Sequence, residues 1–160
     1  HGLPDRHILR SHTACSHFLD TRPKPVSIEG CTCETGPYDA HPTCYKMQCH
    51  ATARALAERC GLQKGKWSVG FQSRLDSKWV KPFSDEIIKS MPSKGVKRLL
   101  VVSPAFVADC LETVIEIGEE YAELFKEHGG EELHLVPSLN AQPAWVEWLS
   151  GWIRQRALHA

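Results

Sequence analysis

The sequence predicts an α/β fold: an open parallel sheet with helices on both faces, in three layers. From Tyr45 onward, helical and strand-like patterns alternate with short turn signals between them, which is the rhythm of α/β domains. Residues 98–103 also form a nearly continuous apolar run, typical of a central parallel strand that is covered on both sides. A hydrophobic content of 42% in 160 residues is enough to bury one core.

The individual elements follow from periodicity and from turn residues. Helices are predicted over residues 45–60, 84–91, 109–128 and 143–156, and strands over residues 67–72, 98–103 and 133–136. Gly61 ends the first helix, and Pro143 suits the first turn of the last one. The order of these elements is that of a single domain.

Residues 11–44 differ from the rest of the chain. This stretch has neither helical nor strand periodicity, and it holds four of the seven cysteines and several histidines. A segment of that length inside a compact domain is usually functional or disordered, so we predict an irregular, cysteine-rich insertion. Because thiols of a protein that is not exported stay reduced, metal binding is the first hypothesis for it.

Charge and hydropathy exclude some classes of partner. Lys and Arg number 19 against 19 Asp and Glu, so no net field favours nucleic acid. No apolar run approaches the roughly 18 residues of a membrane span, and no export leader is visible. We therefore expect a cytoplasmic protein. The chain opens on His1 without a preceding strand, and we expect it to be a piece of a longer polypeptide.

The long predicted helix carries a row of carboxylates. Glu112, Glu116 and Glu120 stand four residues apart, beside a face predicted to enter the core that comprises Leu111, Val114, Ile115, Gly118, Tyr121, Ala122 and Phe125. Such a row can be a solvated face, or it can conduct protons or a divalent cation into a cleft.

Position favours the functional reading of this row. It follows the loop at residues 103–106, which leaves the carboxyl end of the apolar strand, where open α/β sheets bind ligands. His1–Pro4 resembles a second loop of this kind, which would bring the imidazole to the same edge as Glu112. A lone histidine is otherwise more often incidental.

Several stretches together carry a family resemblance. They are His1–Pro4, Tyr45–Cys49 with Thr52–Arg54, Phe71–Arg74, Trp79 with Pro82, Asp85–Glu86, Pro104–Thr113 with Glu116, and Leu139–Asn140 with Pro143. In this order, and across the whole chain apart from the insertion, the sequence is similar to bacterial ferrochelatases. The block Asp109–Thr113 and the block Phe71–Arg74 are the specific signals.

The resemblance implies an enzyme of two similar α/β halves that inserts ferrous iron into protoporphyrin IX, the last step of haem biosynthesis. The chain would be the C-terminal half, with the porphyrin and the missing N-terminal half as partners and a peripheral membrane contact as a further expectation. His1 and Glu112 match the family's active-site histidine and carboxylate, where the Fe2+ substrate is handled. Glu116 and Glu120 continue an acidic path, and Trp79 matches a residue near the macrocycle. The segment Leu75–Lys78 is shorter than the family usually has before that tryptophan.

The resemblance also bears on the insertion, because some microbial ferrochelatases carry a 2Fe-2S cluster on cysteines. Cys49 and Cys110 fall within matching stretches, and Cys60, at a helix end, is expected to be a small buried apolar residue. The remaining cysteines are the candidate ligands of a 2Fe-2S cofactor: Cys15, Cys31, Cys33 and Cys44. Structural zinc and free thiols remain alternatives, although zinc usually prefers wider spacing than that of Cys31 and Cys33.

Two other functions stay open at this point. One is a non-catalytic metal-sulfur or zinc module on an α/β scaffold. The other is a chelatase for cobalt or nickel in another tetrapyrrole. The carboxylate row argues against the module, because binding alone does not need it.

Overall fold

The computed structural model describes residues 1–11 and 42–157, which belong to two compact units, His1–Ser90 and Met91–Ala160. The first unit contains the helices α1 (Asp5–Ser11), α2 (Tyr45–Arg59) and α3 (Ser84–Ser90). The second contains a 3-10 turn (Pro92–Lys94), β1 (Arg98–Val101), a π-helix (Glu112–Glu120), α4 (Tyr121–Glu127), β2 (Glu132–Leu135) and α5 (Pro143–Ala157).

The first unit is organised around a small apolar core. Its buried members come from α1, from the start of α2 and from the segments on either side of Trp79: Ile8, Cys44, Met47, Phe71 and Val80. Backbone hydrogen bonds join these segments, since the Val80 N–H donates to the Leu3 carbonyl and the Phe71 N–H donates to the Pro82 carbonyl, each at 2.9 Å. The opening residues are thereby held in a fixed place.

One prediction in this unit is wrong, and one helix was not predicted. Residues 67–72 do not form a strand, and Phe71 pairs with Phe83 only as an isolated bridge. Ser73 has a φ of 67°, a left-handed conformation that turns the chain and ends the extended stretch. Residues Asp5–Ser11 form a helix where none was predicted, with Asp5 in its first turn, where a carboxylate favours the helix dipole.

The second unit is a parallel β–helix–β arrangement, which confirms the α/β class. β1 and β2 pair in parallel from Arg98 opposite Glu132 to Val101 opposite Leu135, and the π-helix with α4 forms the crossover between them. Phe125 on α4 is fully buried. A Cβ at Gly130 would lie 2.3 Å from the Phe125 ring, so only glycine lets the chain turn beneath it.

The long helix is where the sequence predicted it, but its buried face agrees with the prediction only at Tyr121 and Phe125. Residues Glu112–Glu120 are wound as a π-helix, and the Tyr121 N–H donates to the Glu116 carbonyl five residues back. The buried row is Thr113, Ile117, Tyr121 and Phe125. Leu111, predicted to face the core, is 77% exposed, and Val114 and Ile115 are exposed as well. The wider π turn rotates the helix surface away from the pattern that an α-helix would give.

Two further observations concern the end of α2 and the length of the helices. Cys60, expected to be buried, is exposed at the end of α2. Among residues 1–11 and 42–157, no helix is both long and apolar enough to cross a membrane.

Candidate functional site

The three carboxylates of the predicted row lie along one groove of the second unit. Glu112, Glu116 and Glu120 line it together with the apolar side chains of Leu111 and Ile115, and the groove has a volume of about 310 Å3. Residues four apart on the π-helix stand nearly above one another, so the carboxylates follow the length of the groove. The arrangement can attract a cation or pass a proton along the row.

Two of these carboxylates accept hydrogen bonds within the second unit. The Cys110 side chain, and then the backbone N–H of Glu112 itself, lower the pKa of the Glu112 carboxyl, so it is ionised at neutral pH. Glu116 accepts a hydrogen bond of 3.0 Å from the hydroxyl of buried Tyr121. The groove therefore presents a fixed negative charge at the start of the π-helix.

The start of this helix is tied to the loop after β2 by Asp109, which the sequence analysis did not single out. The Asp109 carboxylate accepts hydrogen bonds from the Asn140 side-chain amide at 2.7 Å, the Ser138 N–H at 3.0 Å and the Thr113 hydroxyl at 3.2 Å. The Asn140 amide oxygen accepts from the Asp109 N–H. These bonds, the Asn140 amide first, lower the pKa of Asp109 to about 2. The matching stretches around Asp109 and Asn140 were the available sequence signal.

The first unit presents His1 in a defined backbone position. Nδ1 of His1 lies 2.6 Å from the Gly2 carbonyl oxygen. Because a carbonyl only accepts, this contact is a hydrogen bond when Nδ1 carries a proton. A Cβ at Gly2 would lie 2.5 Å from the Ser73 carbonyl oxygen, so this close approach requires glycine.

Tyr45 connects α2 to the same segment. Its hydroxyl donates a 2.7 Å hydrogen bond to the His1 carbonyl, and its ring packs at a tilt against Phe71, with centroids 6.4 Å apart. Burial raises the pKa of the Tyr45 hydroxyl, and burial likewise raises the pKa of the neighbouring Cys49 thiol. Both groups are therefore neutral near pH 7, and Tyr45 acts here as a hydrogen-bond donor.

Trp79 lies beside this histidine segment. Residue 79 pairs with Pro4 in an isolated antiparallel bridge, and its ring would be 3.3 Å from a Cβ at Gly2. The structure thus brings His1 and Trp79 together in the first unit, and Glu112, Glu116 and Glu120 together in the second.

Of the predicted cluster ligands, only Cys44 is described. It is a free, buried cysteine that immediately precedes α2. Cys15, Cys31 and Cys33 lie outside the described residues. Within the described ranges, no three His, Cys, Asp or Glu side chains converge in a way that could hold a metal ion.

Fold and site define an α/β protein that presents an imidazole in one unit and a groove lined by three carboxylates in the other. Comparison with known proteins makes this specific. The sequence matches the family profile described as Ferrochelatase over residues 1–157, and the chain belongs to that family.

Individual relatives agree with the family match. The chain is 48% identical over 151 residues to the ferrochelatase of Pseudomonas syringae pv. syringae. This alignment covers 94% of this chain and 42% of that protein. It is 43% identical to the ferrochelatase of Azotobacter vinelandii, with the same coverage of both chains. It is 48% identical over 148 residues to that of Pseudomonas aeruginosa strain LESB58, covering 91% and 41% respectively. The chain therefore spans about two fifths of the length of these curated relatives.

Proposed function

We propose that this chain is the C-terminal half of a ferrochelatase, which inserts ferrous iron into protoporphyrin IX as the last step of haem biosynthesis. Family membership over residues 1–157 supports this reading. The observation that carries it at the level of chemistry is the groove of Glu112, Glu116 and Glu120, because a divalent metal substrate needs an anionic route to the macrocycle.

The reaction requires a base and a cation route. Two pyrrole N–H protons must leave while a dehydrated Fe2+ enters the ring. His1 suits the first task, since an imidazole is a side chain that can take up a proton at physiological pH. Ionised Glu112 suits the transient holding of Fe2+, and Glu116 and Glu120 suit its approach along the groove. Trp79 offers an aromatic surface to the macrocycle.

The decisive test is Glu112→Gln in the full-length enzyme. We expect porphyrin binding to remain while iron insertion falls by about 100-fold or more, because the substitution removes the charge and keeps the shape. Glu119→Gln is the matched control, since Glu119 lies exposed on the same π-helix but does not line the groove. Near-normal turnover of Glu112→Gln would exclude an essential role for this carboxylate.

A test of shared action addresses His1 and Glu112 as a pair. If both act on the same porphyrin, replacing both should cost less than the product of the two single losses, since either single change already stops the step. Independent, multiplicative losses measured by haem formation would count against a common site.

A three-layer sheet is the proposed complete fold. One face of the β1–β2 pair is covered by the π-helix, where Gly118 approaches Leu135. Leu100 is 67% exposed and Val102 is exposed as well, which leaves apolar strand surface for a second helical layer. The remainder of the polypeptide, its N-terminal half, is the partner that would complete the porphyrin cleft.

We further propose a 2Fe-2S cluster on Cys15, Cys31, Cys33 and Cys44, within the insertion at residues 11–44. Four thiolates are the ordinary donor set for this cofactor, and Cys44 keeps a free thiol beside α2. The cluster would cross-link the insertion to the first unit, since iron insertion itself moves no electrons.

The cluster is tested by colour and composition. Protein purified without oxygen should be red-brown, with about two iron and two sulfide per chain, and Cys31→Ser or Cys33→Ser should remove the visible absorption. Cys60→Ser is the control, because that exposed cysteine lies outside the insertion. A colourless protein with one zinc and no acid-labile sulfide would show that the cysteines bind zinc and not a cluster.

A cytoplasmic location and a peripheral membrane contact stay predictions.

A further inference from the structure

Tyr121, the residue that follows the π-helix, contacts Glu116 through two hydrogen bonds. The phenol hydroxyl donates to Oε1 of Glu116 at 3.0 Å, and the Tyr121 backbone N–H donates to the Glu116 carbonyl oxygen. Tyr121 is buried, with 9% of the residue exposed, whereas Glu116 lines the groove. Tyr121 therefore joins the packed interior of the second unit to the middle carboxylate of the row.

The side-chain bond between these two residues depends on the π winding. At the roughly 100° per residue of an α-helix, residues five apart point about 140° away from each other around the axis. The backbone bond from Tyr121 to the carbonyl five residues back instead places Tyr121 one full turn beyond Glu116. The phenol can therefore reach a carboxylate that an α-helix would point elsewhere.

The hydroxyl bond limits the positions that the Glu116 carboxylate can take. A glutamate side chain has many rotamers, and fixing it before a ligand arrives lowers the entropy that is lost on binding. Glu116 stands midway along the row, four residues from Glu112 and four from Glu120. A cation that moves along the groove therefore meets a carboxylate of fixed position halfway.

We propose that Tyr121 is a positioning residue for iron entry: its hydroxyl holds Glu116 at the midpoint of the path that the Fe2+ substrate follows along the groove. Tyr121 acts through Glu116 and not on the metal itself. The inference rests on the proposed function in taking Fe2+ as the cation. The same hold on Glu116 serves any divalent cation that carboxylates bind, such as Mn2+.

Tyr121→Phe in the full-length enzyme isolates the hydroxyl, because the ring keeps its buried place. We expect KM for Fe2+ to rise about fivefold, while KM for the porphyrin and kcat at saturating iron stay within about twofold. An unchanged KM for Fe2+ would overturn the proposal. An equal rise of both KM values would also overturn it, since a general loosening of the helix acts on both substrates.

A double-mutant cycle with Glu116→Ala assigns the effect to this pair. Once the carboxylate is removed, Tyr121→Phe should change KM for Fe2+ by less than about twofold. The same rise in both backgrounds would contradict a role through Glu116. Glu116→Asp is a second variant, which keeps the charge but shortens the side chain, so it should raise KM for Fe2+ as Tyr121→Phe does. If Tyr121→Phe does not fold, Glu116→Asp decides, and a normal KM for Fe2+ would overturn the proposal.

Binding of Mn2+ separates this inference from the proposed function. The loss of the free Mn2+ signal in electron paramagnetic resonance measures the cation affinity of the full-length protein without turnover, and Glu116→Ala shows how much of it belongs to the groove. That part of the affinity should weaken about fivefold in Tyr121→Phe. It should stay unchanged in Glu119→Gln, on the same helix but outside the groove.

The two proposals then fail in different ways. A full-length protein that forms no haem but loses Mn2+ affinity in Tyr121→Phe would count against the proposed function only. Unchanged Mn2+ binding by Tyr121→Phe, with normal haem formation by the unmodified enzyme, would overturn the positioning role and leave the proposed function in place.

Discussion

The Tyr45 hydroxyl holds the backbone of the proposed catalytic histidine. Its 2.7 Å hydrogen bond to the His1 carbonyl fixes the backbone that carries the imidazole. Because burial raises the pKa of the Tyr45 hydroxyl, it stays a hydrogen-bond donor across the working pH range. Tyr45 touches no reacting atom in this account, so it is a positioning residue.

Tyr45→Phe should therefore lower kcat of the full-length enzyme by about tenfold while KM for the porphyrin stays within about twofold. The ring that packs on Phe71 is retained, so the change isolates the hydroxyl. The pH dependence of kcat should also shift, because a displaced imidazole has a new environment. An unchanged kcat and pH profile would show that the hydrogen bond has only a structural role.

The Asp109 carboxylate makes stability depend on acid. Its pKa is about 2 in the folded protein and 3.8 ordinarily, so the folded state favours the ionised form. The stabilisation is complete above about pH 4 and is lost as the pH falls through the range between 4 and 2. Urea unfolding should show this loss for the natural protein.

Asp109→Asn is the variant that removes the stabilisation by the ionised Asp109 carboxylate. It should unfold at a lower urea concentration at pH 7, and its midpoint should fall less steeply between pH 4 and pH 2.5. Parallel pH curves for variant and natural protein would assign the acid sensitivity to other carboxylates.

At the residue scale, the row of three glutamates could be predicted from the sequence, whereas the hydrogen bonds of Asp109 that tie the helix to the loop after β2 could not. The spacing of Glu112, Glu116 and Glu120 is local, so any helix places them in one row. The bonds from Asp109 to Ser138 and Asn140 join residues about 30 positions apart. They depend on how the loop after β2 returns to the helix, and periodicity carries no information on that.

At the scale of elements, the π-helix explains why the first part of the predicted core face was wrong, while Tyr121 and Phe125 are buried as predicted. At the 3.6 residues per turn of an α-helix, Leu111, Val114 and Ile115 would lie on the core face. Bonds of the i to i+5 type widen the turn and bury Thr113 and Ile117 instead. Leu111 and Ile115 consequently line the carboxylate groove.

Paired alanine substitutions measure this difference. Ile117→Ala should destabilise the protein by about 2–4 kcal/mol, because Ile117 is buried and its loss leaves a cavity. Val114→Ala, on the same helix but exposed, should cost less than about 1 kcal/mol. Thermal or urea unfolding of both variants measures the two losses of stability. A larger loss for Val114→Ala than for Ile117→Ala would support the α-helical core face that the sequence predicted.

At the scale of the molecule, the sequence predicted most elements because their signals are local. α2, α3, β1, β2 and α5 all lie within a few residues of their predicted bounds. The segment at residues 67–72 failed because a strand needs a partner along its length, and within the described residues only Phe71 pairs, with Phe83. Strand propensity alone cannot supply that partner.

The chain spans about two fifths of its relatives, and this limits what it can do alone. A flat macrocycle must be held on both faces to be positioned and distorted, and effective positioning commonly contributes several orders of magnitude to a rate. We therefore expect the purified 160-residue chain to form haem at least about 100-fold more slowly than the full-length enzyme under the same iron and porphyrin concentrations. Porphyrin absorbance should show weak binding by the chain, and adding the N-terminal half should raise both binding and turnover. Rapid haem formation by the chain, with intact mass proving that the other half is absent, would show that one half suffices. It would overturn the proposal that the N-terminal half completes the porphyrin cleft.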